Sequence, residues 1–147
     1  MPQSLSNVLV HLVFSTKHRH PRITQEIRRE LYPYLTAVLK NHDCPVLQVG
    51  GVEDHVHALF QLSRKMSIAD VVEKVKTSSS KWAKSKDSEF AWQAGYGAFS
   101  VSPSEPDGVI RYIQGQEVHH RLVSFQDEYR ELLRLAGMML DERYAWD

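Results

Sequence analysis

The 147-residue chain has a single cysteine, Cys44, and no excess of either charge, with 18 Lys+Arg against 18 Asp+Glu. A lone cysteine excludes an internal disulfide and any cysteine-rich zinc site. No apolar run approaches the roughly 18 residues that a membrane span requires. Met1-Pro2-Gln3-Ser4 has neither the basic start nor the apolar stretch of a signal peptide, so a cytoplasmic protein with no membrane partner is expected. Seven glycines and six prolines are too few for a collagen-like or low-complexity chain. What is present, 42% hydrophobic and 10% aromatic residues, builds the core of one compact domain over residues 1–147.

The zero net charge hides an asymmetry. Residues 1–86 carry 13 Lys+Arg and 7 Asp+Glu, a net of +6, and residues 87–147 carry 5 and 11, a net of −6. Such segregation can accompany nucleic-acid binding even when the total is neutral. It also suggests that the basic and acidic parts dock on each other, within one chain or between two.

Hydrophobic patterning predicts the elements. Asn7 to Phe14 reads as a buried strand, followed by a basic loop, Lys17-His-Arg-His-Pro-Arg22. Thr24 caps a helix whose stripe is Ile27, Leu31, Leu35, Val38 and Leu39, ending near Asn41. Val46 to Val52 and His55 to Leu62 form a hairpin, with Gly50-Gly51 suggesting a bulge or turn. Ser67 caps a second helix running to about Lys84, and a fourth strand covers about Tyr96 to Val101. A helix from about Val109 to Glu117 and a last amphipathic segment from about Asp127 to Ala136 close the chain. The order β-α-β-β-α-β is that of an α+β, ferredoxin-like (RRM-like) antiparallel sheet, with a core over about residues 6–102. The helices over about 105–147 look attached to this unit rather than part of it. That fold hosts many functions, so chemistry must come from the site.

The sharpest local feature is Asp54-His55-Val56-His57. Alternation on a strand sends His55 and His57 to one face about 7 Å apart, and Val56 to the other. Two imidazoles on a rigid strand can share a metal ion, given a third ligand from elsewhere. On its own the pattern is more often two surface histidines. The second feature is Arg111-Tyr-Ile-Gln-Gly-Gln116. On a helix, Tyr112 and Gln116 lie one turn apart on one face, so a phenolic nucleophile and a hard amide ligand come from one element. The alternative is an aromatic packed on the sheet and an exposed glutamine. Gly115 between them costs about 1 kcal/mol of helix stability relative to alanine.

Together these segments resemble the single-tyrosine HUH transposases of the insertion-sequence-200-like family. The likeness rests on Val10-His-Leu-Val-Phe-Ser-Thr-Lys17, Gly50-Gly-Val-Glu-Asp-His-Val-His57, Lys76-Thr-Ser-Ser-Ser-Lys-Trp82, Trp92-Gln-Ala-Gly-Tyr-Gly-Ala-Phe-Ser100 and Tyr112-Ile-Gln-Gly-Gln116. Gly115 departs from the asparagine more often expected there. The resemblance implies a metal-dependent DNA transposase that cleaves and rejoins single-stranded DNA at insertion-sequence ends. It implies Tyr112 as nucleophile, a 5′-phosphotyrosine intermediate, and one Mg²⁺ or Mn²⁺ per site on His55, His57 and Gln116. It further implies recognition of subterminal DNA hairpins, a homodimer whose sites can be shared between chains, and association with the bacterial nucleoid when acting. No strong general base is evident, which leaves deprotonation of the tyrosine to metal and solvent.

Candidate phosphate contacts are Lys17, Arg19, Arg22, Arg64, Lys65, Lys74, Lys81 and Lys84, with Lys76 as a further candidate, since such groups release counterions from DNA. Lys74, Lys81 and Lys84 keep roughly one helix face. Trp82, Trp92 and Tyr96 offer faces for bases, although aromatics in a small domain more often fill its core. His119-His120-Arg121 reads as a phosphate contact or a helix C-cap, not as a second metal site. The competing functions are a domesticated, non-catalytic hairpin or single-strand binding module and another HUH nuclease. Binding alone does not require the set His55, His57, Tyr112 and Gln116.

Overall fold

The computed structural model describes residues 2–147. Strands β1 (Leu9–Ser15), β2 (Val46–Val52), β3 (His55–Gln61) and β4 (Gly97–Val101) form one antiparallel sheet in the order β2-β3-β1-β4. With helices α1 (Gln25–Asn41) and α2 (Ile68–Lys84) between them, this is the ferredoxin-like arrangement. Both helices begin where the sequence placed their caps. The Thr24 side chain accepts from the Ile27 backbone N–H, and Ser67 accepts from that of Asp70.

The central strands are buried on both faces, so their alternation sorts two sets of side chains. Val10, Leu12 and Phe14 of β1, with Val56, Ala58 and Phe60 of β3, meet the stripes of α1 and α2 in the main core. Leu9, His11, Val13, His55, His57 and Leu59 point the other way. Pairing of Val13 with His57 and of His11 with Leu59 fixes this register.

The second face is covered by α3 (Asp107–Gln114), α4 (Gln116–His119) and α5 (Phe125–Leu135). The C-terminal helices are therefore a layer of the domain, not an attachment, because the polar and apolar residues of that face would otherwise stand in water. Two glycines seat them. A Cβ on Gly50 would come within 2.8 Å of the Ile113 side chain and carbonyl, so α3 lies directly on β2. A Cβ on Gly97 would stand 2.7 Å from the Tyr129 ring, so α5 lies equally close on β4.

Three sequence expectations change. The register irregularity of β2 falls at Val46/Gln48, not at Gly50-Gly51, which run in regular register opposite His57 and Val56. The predicted 109–117 helix is interrupted at Gly115, where φ −89° and ψ 12° end α3 and start α4. The last helix starts earlier, with Ser124 accepting from Asp127 N–H, and its buried stripe is Phe125, Glu128, Tyr129 and Leu133, while Leu135 is exposed.

Candidate active site

Strands β1 and β3 and the helices that cover the second face contribute polar groups to one largely buried cluster. His55 and His57 come from β3, His11 from β1, Tyr112 from α3, Gln116 and His119 from α4, His120 from just beyond it, and Glu128 from α5. His55, His57, Gln116 and Glu128 are all nearly inaccessible to solvent. Burial of so many polar groups is costly unless each is partnered.

The partners are specific. His55 Nδ1 is 2.7 Å from Asp54 Oδ1, and His57 Nδ1 is 2.8 Å from His11 Nε2. With the Nδ1 atoms of both rings engaged outward, both Nε2 atoms face inward, a pattern that fixes the tautomer of metal-ligating histidines. His55 Nε2 lies 3.1 Å from Gln116 Oε1 and 3.2 Å from Glu128 Oε1, and His57 Nε2 lies 3.1 Å from the same Glu128 oxygen. The other carboxylate oxygen, Oε2, accepts the Tyr112 hydroxyl and, at 3.0 Å, the Gln116 amide. Glu128 thus ties the tyrosine to the histidine pair. The break at Gly115 does not separate Tyr112 from Gln116, since both side chains meet that carboxylate.

Electrostatics follow from this crowding. Burial works to raise the Glu128 carboxyl, but the surrounding imidazoles of His120, His55 and His57 outweigh it and hold the group far below the usual carboxylate range. Burial works to lower His55, and its contacts with Asp54 and Glu128 overcome this and raise it to about 9. His57 is lowered by burial despite Glu128, and His11 is pushed down to about 3 by burial and by His57. Burial and the Glu128 carboxylate push the Tyr112 hydroxyl well above its ordinary value, so in this arrangement it is a held phenol, not a phenolate.

The donor set fits a divalent cation. One ligand atom each from His55, His57, His120 and Glu128 lies within 4.8 Å of the others. His120 Nε2 is buried without a hydrogen-bond partner, although it stands 3.1 Å from Glu128 Oε1. An orphaned imidazole nitrogen facing a carboxylate and two further imidazoles is what a cation would satisfy.

Residues 4–116 match the family profile described as "Transposase IS200 like". The chain belongs to the IS200-like transposase family. Two solved structures share the fold of this family member. A candidate transposase from Deinococcus radiodurans R1 has TM-score 0.64 and 21% identity, covering 79% of this chain and 95% of its own. A REP-associated tyrosine transposase bound to a REP hairpin has TM-score 0.63 and 11% identity, covering 84% of this chain and 74% of its own. No curated protein matches the sequence.

The sequence-predicted site residues of this transposase-family chain thus divide. His55, His57, Tyr112 and Gln116 are brought together as expected. The basic candidates stand apart from them. Lys17, Arg64, Lys65, Lys74, Lys81 and Lys84 are exposed, and Arg19 is partly buried with its guanidinium 5.8 Å from the Trp146 ring. Arg22 is engaged by Asp87 and Glu89, each at 3.0 Å. Lys81 and Lys84 line a groove of about 830 Å³ together with Lys76, Trp92 and Tyr96, but Lys74 is outside its lining. Trp92 is a core residue whose indole N–H donates to Ser79, and Trp82 stacks on Tyr34, so of these three candidates Tyr96 is the exposed one. Glu128 and His11 escaped the sequence reading. Their signals were a carboxylate inside the stripe of α5 and a histidine inside an apolar strand. His120 joins the first site rather than forming a second.

No helix among the described residues is long and apolar enough to cross a membrane.

Proposed function

We propose that this protein is a metal-dependent single-strand DNA transposase that cleaves and rejoins DNA through a phosphotyrosine bond at Tyr112. The observation that carries the reading is the sharing of one carboxylate, Glu128, by the Tyr112 hydroxyl and the inward Nε2 atoms of His55 and His57. A nucleophile and a cation-binding pair beside each other are what phosphoryl transfer needs, and a packing tyrosine does not require them.

His55 and His57, with the Gln116 amide oxygen, would hold one Mg²⁺ or Mn²⁺. A divalent ion bound there supplies Lewis-acid polarisation of a phosphate oxygen. The chain's own groups do the rest. Glu128 and the seat of α3 on Gly50 aim Tyr112 Oη towards the histidines, so the phenol needs little reorganisation to attack. Tyr112 Oη forms a bond to phosphorus as the bond to the 3′-oxygen breaks. The phenolic proton leaves to solvent and a solvent proton caps the 3′-oxygen, so protons balance. The resulting ester is close in energy to the diester it replaces, which permits rejoining without a nucleotide cofactor.

The hairpin bound by the REP-associated structural neighbour supports a hairpin near an element end as the DNA recognised. Exposed Lys81 and Lys84 beside Tyr96 suit a strand's phosphates and a base. Within one chain Tyr112 stands beside His57 and shares Glu128 with both histidines, which supports a site completed in cis, with exchange of the tyrosine helix between chains paired as a homodimer as the alternative.

The test is incubation with labelled single-stranded DNA carrying the element's end and Mg²⁺ or Mn²⁺. A covalent adduct is expected, lost with EDTA and reduced ~10³-fold or more by Tyr112→Phe. Tight hairpin binding with no adduct under either ion would assign the chain to non-catalytic binding instead.

A further inference from the structure

The matched family segment ends at residue 116, yet the buried cluster continues beyond it. We propose that the segment after residue 116 completes the metal centre, with His120 and Glu128 as ligands alongside His55 and His57, so that three imidazoles and one carboxylate surround the ion beside the Gln116 amide oxygen. This deepens the reading above and rests on it, since there the ion is held by His55, His57 and Gln116.

The argument is one of lone pairs. Each of three imidazoles has its Nδ1 engaged away from the centre: His55 on Asp54 Oδ1, His57 on His11 Nε2, and His120 on the Val123 carbonyl at 2.6 Å. In the neutral rings that a cation binds, with Nδ1 carrying the proton, three Nε2 atoms converge on Glu128 Oε1 at 3.1–3.2 Å. A cation among these four donor atoms satisfies all four. His120 Nε2 is buried without a hydrogen-bond partner and faces Glu128 Oε1 at 3.1 Å. Its outward bond to Val123 is the backbone counterpart of those that orient the other two rings.

The segment is also built to deliver these donors. The Ser124 cap starts α5, Phe125 and Tyr129 anchor it against β1 and β4, and Glu128 lies between them on the buried stripe. A lone glutamate on such a stripe has no packing reason to be there. Glu128 Oε2 remains on Tyr112 and Gln116, so one carboxylate both binds the ion and holds the nucleophile.

The donor set makes a choice of ion. Mg²⁺ prefers oxygen and retained water, whereas imidazoles favour transition ions. Mn²⁺ should therefore bind the DNA-free protein at least ~10-fold more tightly than Mg²⁺. Calorimetric titration with each ion alone, on wild type, His55→Ala, Glu128→Gln and His120→Asn, tests this, with folding checked by circular dichroism. The expected result is a loss of at least ~10-fold in Mn²⁺ affinity for each of the three variants. Wild-type affinity in folded Glu128→Gln or His120→Asn, with loss in His55→Ala, overturns the proposal and leaves the transposase reading standing. Absence of saturable binding to wild type overturns both. Pulsed EPR of the Mn²⁺-loaded wild type avoids the variants altogether. Three coupled imidazole nitrogens are expected, and two overturn the assignment.

Discussion

On one face of the sheet, Leu12, Phe14, Val56 and Phe60 meet the stripes of α1 and α2 in a core whose central side chains are almost wholly apolar. On the other, one residue along the same strands, His11, His55 and His57 meet Tyr112, Gln116, His120 and Glu128. The strands are equally buried on both sides, so burial does not distinguish structure from function here. The second face is held by two small apolar patches around its polar centre: Val13 with Phe125, Tyr129 and Leu133, and Leu9 and Leu59 with Ile113. The first face buries the larger apolar cluster, and the second surrounds a polar one.

Truncation on the first face should cost most. Phe60→Ala removes a fully buried ring and is expected to lower unfolding free energy by about 3–5 kcal/mol. Denaturant titration should show this, while Mn²⁺ affinity of the folded fraction stays unchanged. An affinity loss of comparable size would mean that the two faces are not separable.

On the second face a small addition should do what a large deletion does on the first. Gly50→Ala puts a methyl against the Ile113 carbonyl, a backbone atom that moves only if α3 moves. Displacement of Tyr112 should slow adduct formation by about 10–100-fold. Single-turnover kinetics would show this, and the far-ultraviolet spectrum should keep its shape.

The smallest effect tests a charge at the edge of the first face. Lys76 donates to the carbonyls of Gln93, at 2.8 Å, and Gly95, and burial lowers it to about 8. The unfolded lysine retains its proton to higher pH, so stability should rise as pH climbs through about 8 towards 10. Relative to Lys76→Met, and discounted for partial exposure, the gain should be about 1 kcal/mol. Thermal melts at pH 7 and 10 would detect it, and a relative loss with rising pH would reverse the sign.

The same contrast explains what the sequence revealed. Val46 to Val52 and Thr24 to Asn41 were legible because their periodicity and caps are local properties. The pairs His55/His57 and Tyr112/Gln116 were legible because spacing on one element puts each pair together. Gly115 looked like a weakness in a helix and proves to be its boundary. Glu128 was not legible as a site residue, because its role depends on α5 lying on Gly97, a contact between residues far apart in the chain. His120 could be read as a helix cap until its free nitrogen was seen to face Glu128. The charge asymmetry resolves in part into ion pairs between the two parts, Arg28 with Glu117 at 2.6 Å and Arg22 with Asp87 and Glu89.

The central claim is that one chain's second sheet face holds the whole site, nucleophile and metal donors together. Mixing Tyr112→Phe protein with His55→Ala protein, under conditions that let any paired subunits exchange, tests it directly. The account predicts that DNA cleavage by the mixture equals the sum of the two inactive variants. Recovery of a substantial fraction of wild-type cleavage would show that the tyrosine of one chain serves the histidines of another, and would contradict it.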